Sequence, residues 1–187
     1  MHRAYTECAQ AVHRFGICAV LILAGCGADA PVSGDVTIPV RNPTAPIGVT
    51  SRYDDARFAG LWHVRGAYPR DADLVTVERV PEGPAWAFVM RACDAQGACQ
   101  SLRTTWPARG DQPGADVVAD PAGGPVRRPV VVWVDEGFRT AAVGDAEGRF
   151  AWVLDRAPQG GADRIRAARQ VLEFSGFDLR DMQMRPG

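Results

Sequence analysis

Eight short apolar stretches, most of them closed by turn-forming residues, constrain this chain more than any other feature. They cover 61–67, 74–80, 85–91, 100–106, 115–119, 129–134, 138–143 and 149–155. Turn sequences such as Pro81-Glu82-Gly83-Pro84 and Asp120-Pro121-Ala122-Gly123-Gly124-Pro125 separate them. This spacing predicts an antiparallel meander, as a barrel or a sandwich. A helical period comes late: between Gly161 and Gly176, Ile165, Ala168, Val171 and Leu172 recur at helical spacing, with Arg164, Arg166 and Arg169 on other positions. Asp163 suits the positive end of that helix and Gly176 its stop. Val131 and Val153 alternate away from Val132 and Trp152, so two strands are apolar on both faces. A strand wet on one side would not need that. The helix is therefore predicted to dock on the outside of the sheet.

The start of the chain bears on where it works. Phe15 to Gly25 is apolar, follows Arg3 and Arg14, and ends on Leu23-Ala24-Gly25-Cys26. An apolar core of about 7–15 residues fits an export signal and is too short to cross a hydrocarbon core, which takes roughly 20. The ending resembles a bacterial lipoprotein signal. That resemblance implies that residues 1–25 are removed, that Cys26 is acylated, and that the remainder is held at a membrane surface. The rival reading is a buried N-terminal helix with an incidental cysteine. Gly27 stands where such lipoproteins carry an inner-membrane retention aspartate, which favours the outer membrane, facing the periplasm. Residues 26–51, with Pro31, Pro39, Pro43 and Pro46, are expected to form a flexible tether, and 52–187 the folded domain.

A formal charge of −1 without a basic stripe argues against nucleic acid as a partner. All 21 cationic side chains are arginines. Of the five cysteines, Cys8 and Cys18 fall in the leader and Cys26 is assigned to the lipid. Cys93 and Cys99 remain, at a predicted hairpin tip, and in an oxidising compartment they read as a disulfide contributing about 2 kcal/mol. A metal site is the weaker rival, because beyond the leader His63 is the sole histidine. His63 has the opposite parity to Trp62 and is expected to face outward. The pairs Asp54-Asp55 and Asp71/Asp73 lack the geometry that acid–base chemistry needs. No Gly-x-Ser-x-Gly, Cys-x-x-Cys or phosphate loop is present. Nothing calls for an enzyme, a cofactor or a bound metal.

Two-residue alternation puts Trp86, Phe88 and Met90 on one face of their strand, Phe150, Trp152 and Leu154 on one face of theirs, and Trp62, Val64 and Tyr68 on one face of the first. Eight strands closed into a barrel can pack solid or hold one small ligand, and aromatic content alone decides neither way.

Four segments carry a family resemblance. Phe58-Ala59-Gly60-Leu61-Trp62-His63-Val64 is similar to a Gly-x-Trp opening. Val134-Asp135-Glu136-Gly137-Phe138 is similar to a second signature, and Phe150-Ala151-Trp152-Val153-Leu154-Asp155-Arg156-Ala157-Pro158 to a last strand followed by its arginine. Gly176-Phe177-Asp178 is similar to the end of a C-terminal helix. In this order, behind the lipoprotein-like leader and across Arg52 to Pro186, the chain resembles the bacterial outer-membrane lipocalins. The resemblance implies an all-β fold: an eight-stranded antiparallel up-and-down barrel, one C-terminal helix packed outside, and an apolar cavity for a fatty acid such as palmitate or for a lysophospholipid. Gly60, Trp62, Asp135 and Arg156 would be structural, with Trp62 plugging the closed end and Arg156 lying across it. Tyr68, Trp86, Phe88, Met90, Trp106, Phe138, Phe150 and Trp152 are the candidate ligand contacts. Two departures stand out. The segment from Pro107 to Pro129 is short and rich in Gly and Pro, implying a stunted or open wall, and Phe138 replaces a usual tyrosine. The expected function is a lipid-anchored binder or carrier of one small hydrophobic molecule. The alternative is a solid barrel serving as a structural or interaction module of the cell envelope.

Overall fold

A computed structural model describes residues 40–68, 71, 73–82, 85–106, 114–115 and 128–185, with the backbone alone for 82, 85, 86 and 104–106. The leader and Cys26 lie outside these residues. The elements run α1 (Asp55–Phe58), β1 (Gly60–Ala67), β2 (Leu74–Glu82), β3 (Ala85–Cys93), β4 (Cys99–Trp106), β5 (Pro129–Val134), β6 (Thr140–Asp145), β7 (Ala151–Asp155), α2 (Ala162–Phe174) and β8 (Gln183–Met184).

All eight strands belong to one antiparallel sheet, ordered β4-β3-β2-β1-β7-β6-β5, with β8 added to the end of β1. This corrects the expected barrel: the sheet is not closed. β4 and β5 are its two edges, and no ladder joins them among the described residues. The strand expected at 115–119 is represented by a single bridge, Ala115 to Val130; 116–119 lie outside the described residues. The sequence between the edges agrees with the open wall: Pro107, Pro113, Pro121 and Pro125 leave only short runs there that could extend a ladder, since proline has no N–H to donate. The eighth strand is instead Gln183–Met184, which no alternation in the sequence announces.

The sheet nonetheless curls. From α1, Asp55 reaches Arg79 on β2 at 2.8 Å, while Arg57 lies 4.0 Å over the ring of Phe138, in the turn between β5 and β6. β2 and β5 are four strand spacings apart along the path, about 19 Å in a flat sheet, and a four-residue helix is only about 6 Å long. The curl gives the sheet an inner face holding Phe58, Trp62, Val64, Val77, Phe88, Trp152 and Leu154 in one apolar cluster. The outer face carries a second cluster, in which Ala142, Ala151 and Val153 meet Ile165, Ala168 and Leu172 of α2.

Three irregularities reset the alternation. β1 changes register between Val64 and Gly66, β2 between Leu74 and Thr76, and β5 between Val131 and Trp133. An extra residue flips every later side chain to the other face. Ala67 therefore joins the inner cluster and Tyr68 the outer one, so the assignment of Tyr68 to the face of Trp62 is corrected.

Helix α2 ends as its sequence predicts. Gly176 adopts φ 89°, its N–H donates to Glu173 O at 2.9 Å, and Phe177 N–H donates to Leu172 O at 3.1 Å. This paired arrangement satisfies two terminal carbonyls and needs the left-handed residue that glycine supplies. Phe177 is thereby turned onto the sheet. Residues 40–51, within the stretch read as a tether, also pack on the domain: Val40 and Arg41 are buried, and Thr50 N–H donates to Val131 O at 3.0 Å. A β-carbon at Gly144 would sit 2.5 Å from Phe177 Cζ. Gly144→Ala is therefore expected to destabilise the protein by about 1–3 kcal/mol in urea denaturation, because the helix end must shift away from the sheet.

Candidate functional site: the inner face and its sealed end

The inner face has two unlike ends. At the first, α1 is held by Asp54, whose side chain accepts from Arg57 N–H at 2.9 Å. This seats Phe58 with its ring 4.8 Å from that of Trp62, and Trp62 Nε1 donates to Phe58 O at 2.8 Å. Trp62 is fully buried. The Arg156 guanidinium lies 3.7 Å over its ring and donates to Leu61 O and Ala59 O, both at 2.7 Å, and to Arg57 O at 2.8 Å. Burial lowers its pKa from the usual arginine value, but a guanidinium stays charged across the working pH range. One cation thus ties the first strand and α1 to the chain leaving β7. Gly60, at φ 89°, passes beneath this guanidinium: a β-carbon there would lie 3.4 Å from Arg156 Nη1.

Asp135 shapes the neighbouring turn. Its carboxylate accepts from Thr140 N–H at 2.8 Å, Arg139 N–H at 2.5 Å and Arg139 Nε at 2.9 Å. Burial alone would raise its pKa, but these hydrogen bonds and the Arg139 charge outweigh it and hold the carboxyl below its ordinary value. Phe138 occupies φ 53° in this turn, and its buried ring lies beneath Arg57.

Arg79 escaped the sequence analysis. It is 2 % exposed, pairs with Asp55 at 2.8 Å, and lies 5.6 Å from the Tyr53 ring and 5.7 Å from the Phe88 ring. The available signal was parity: Arg79 follows the inward Val77 by two residues. A cation at such a position needs an internal partner, and Asp55 supplies it.

The other end is more open. Leu74, Met90, Ala92, Gln100 and Leu102, with Asp71 beside them, border a pocket of about 340 Å³. Register puts Met90 opposite Leu102 and Ala92 opposite Gln100, so these residues share the inward face. Next to it, Trp152 Nε1 donates to Asp71 Oδ2 at 2.8 Å, and the Phe150 and Trp152 rings stack at 4.4 Å.

The candidate ligand contacts therefore separate. Met90 borders the pocket; Phe88 lies deeper, beside Arg79. Phe138 belongs to the sealed end, and Phe150 and Trp152 are buried against each other. Tyr68 is on the helix side. Trp86 and Trp106 pair in register, and their side chains lie outside the described residues. Cys93 and Cys99 form a disulfide, S–S 2.06 Å, that closes the β3–β4 hairpin near the pocket. His63 is half-buried, opposite Thr76 and Asp155 in register. Among the described residues no three His, Cys, Asp or Glu side chains converge as metal ligands, and no helix is long and apolar enough to cross a membrane.

The Asp135 geometry sets a pH dependence. Because its pKa is lower folded than unfolded, the unfolded chain binds the proton more readily in acid. The stabilisation is complete above the unfolded value, about 4, and is lost as pH falls through the folded value. Asp135→Asn should lower the urea midpoint at pH 6, and the gap to the parent protein should narrow at about pH 3.

No family model matches the chain, and no curated protein matches it. Among solved structures it is similar to apocrustacyanin C1, at 11 % identity and a TM-score of 0.52, over 73 % of this chain and 81 % of that one. A likeness this distant in sequence speaks for architecture alone: the fold is lipocalin-like, with an open sheet.

Proposed function

We propose that this protein binds one small hydrophobic molecule, of the fatty acid or lysophospholipid class, on the open end of its inner face, as an exported lipocalin anchored by lipid. The observation that carries this reading is the asymmetry of the inner face. Trp62, Phe58 and Arg156 fill one end, while a pocket of about 340 Å³ bordered by Leu74, Met90 and Leu102 stands at the other. Its volume lies at the lower end of the roughly 300–1,000 Å³ usual for ligand pockets, and its lining is mixed, with Leu74, Met90, Ala92 and Leu102 apolar and Asp71, Asp73, Gln100 and Ser101 polar. The kinship with bacterial outer-membrane lipocalins is supported by the Gly60/Trp62, Asp135 and Arg156 signatures. The lipid anchor is supported by the Leu23-Ala24-Gly25-Cys26 sequence, and the outer membrane by Gly27.

A second reading has its own observation. The stacked, fully buried pair Phe150 and Trp152 favours an interior filled by its own side chains, as in a structural or interaction module. Native mass spectrometry with palmitate and a lysophospholipid separates the two. A saturable one-to-one complex is expected, and Met90→Ala, at the pocket border, should weaken binding more than folding. Trp62→Ala, in contrast, should cost about 3–5 kcal/mol of stability, since it empties a closed site. A lipid panel that yields no complex would leave the filled interior as the function-bearing form.

The anchor has a separate test. Cys26→Ser should leave an unacylated precursor that is uncleaved or mislocalised; maturation and fractionation like the parent protein would overturn the lipid assignment.

A further inference from the structure

The outer face carries a larger concavity than the inner one, about 690 Å³, between α2 and the β1–β8 corner. Its helix wall is a single stripe that includes Ile165, Arg166 and Arg169, spaced three and four residues apart. The facing wall is Arg65 of β1 with Met184 and Arg185 at the end of β8. Four arginines thus border one groove, of which Arg185 donates from Nη2 to Leu74 O at 2.8 Å, and among the described residues its lining holds a single carboxylate, Glu173. Asp163, one turn back on α2, pairs with Arg166 from outside that lining. This concentration of positive charge occurs in a chain whose formal charge is −1.

Charge alone does not make a site; the hydrogen-bond pattern does. Arg65 stands at the β1 register shift and is 3 % exposed. Its Nη1 donates to Gly160 O at 3.0 Å and Ala157 O at 3.3 Å, which fixes the guanidinium in the groove wall. Its Nε is buried and has no hydrogen-bond partner among the described residues, and the same holds for Nε of Arg169. The ion-pair contact that Arg169 does make is a long one, 3.9 Å to Glu173. A buried donor without an acceptor is costly, so two of them at one groove mark a place where an acceptor belongs. Gly160 and Ala162, at the start of α2, also border the groove; Gly161 gives that helix end no side-chain cap, and Asp163 stands in its first turn.

We propose that this groove binds a phosphate group. Guanidinium forks grip oxyanions through paired N–H donors, and donors converging from α2, β1 and β8 suit a tetrahedral anion better than a planar carboxylate. Ile165 and Met184 give the groove an apolar side, on which the ester chain of a phosphorylated molecule can lie. The site is on the opposite face of the sheet from Met90 and does not depend on the apolar-ligand reading.

The test uses the full-length protein, labelled so that arginine Nε–Hε resonances are observed, and two probes: inorganic phosphate and short-chain phosphatidate below its micellar concentration. The Nε–Hε signals of Arg65 and Arg169 are expected to shift saturably. Tighter binding of phosphatidate assigns the site to a lipid headgroup, and equal or tighter binding of inorganic phosphate assigns it to the free ion. Arg166→Gln/Arg169→Gln should weaken binding about tenfold or more with an unchanged melting temperature. Arg169→Lys, which keeps the charge but loses the fork, should weaken it about fivefold and serves as the readout if the double variant folds poorly. Shifts that do not saturate with either probe, or affinities unchanged in a folded variant, would overturn the proposal.

Discussion

Strands β6 and β7 and the second half of β1 are buried on both faces, and most of the molecule follows from that requirement. Trp62, Trp152 and Leu154 need an inner cluster; Ala142, Ala151 and Val153, on the opposite face of the same sheet, need a cover. A curled sheet supplies the first and α2 the second. The small residues along the outer face let the helix approach closely, and the turn at Gly176 brings Phe177 down onto Gly144. Helix and sheet are therefore one core in two layers, with the sheet between them.

Arginine is the structural cation throughout. Arg156 seals the inner face by bonding three carbonyls above Trp62, and Arg79 crosses the interior to Asp55. Arg41 donates from Nε to Ser175 O at 2.9 Å and holds the N-terminal segment to the end of α2. Arg164 meets the fully buried Asp155, at 3.2 Å, and Thr140, tying the start of α2 to the sheet. Such planar donors satisfy several backbone oxygens at once, which a lysine ammonium does less well. At the α2 groove, Nε of Arg65 and Nε of Arg169 are buried and lack a hydrogen-bond partner among the described residues.

Function on the inner face depends on how space is divided along the strands. Large rings and a guanidinium crowd one end, so that end has no room to give. Smaller side chains, Leu74, Ala92 and Leu102, border the other, next to an edge strand whose far side lacks a described neighbour. The disulfide between Cys93 and Cys99 restrains the hairpin at that edge without filling the space beside it. The sealed end fixes the shape; the open end is where a ligand can be accommodated.

Local pattern was enough to read most of the strands, the late helix and its glycine stop, the hairpin of Cys93 and Cys99, and the inward parity of Trp62, Phe88 and Met90, because each depends on neighbours in sequence. Closure could not be read the same way. Whether β4 and β5 meet depends on how far the curl of the whole sheet carries its two edges round, which no local pattern states. The side of Tyr68 turned on one extra residue in β1, whose effect exists only when β7 is paired beside it. The partner of Arg79, β8 and the arginine groove were hidden for the same reason. Each is made by residues distant in the chain, and only packing in three dimensions decides which charges face each other and which face an empty space.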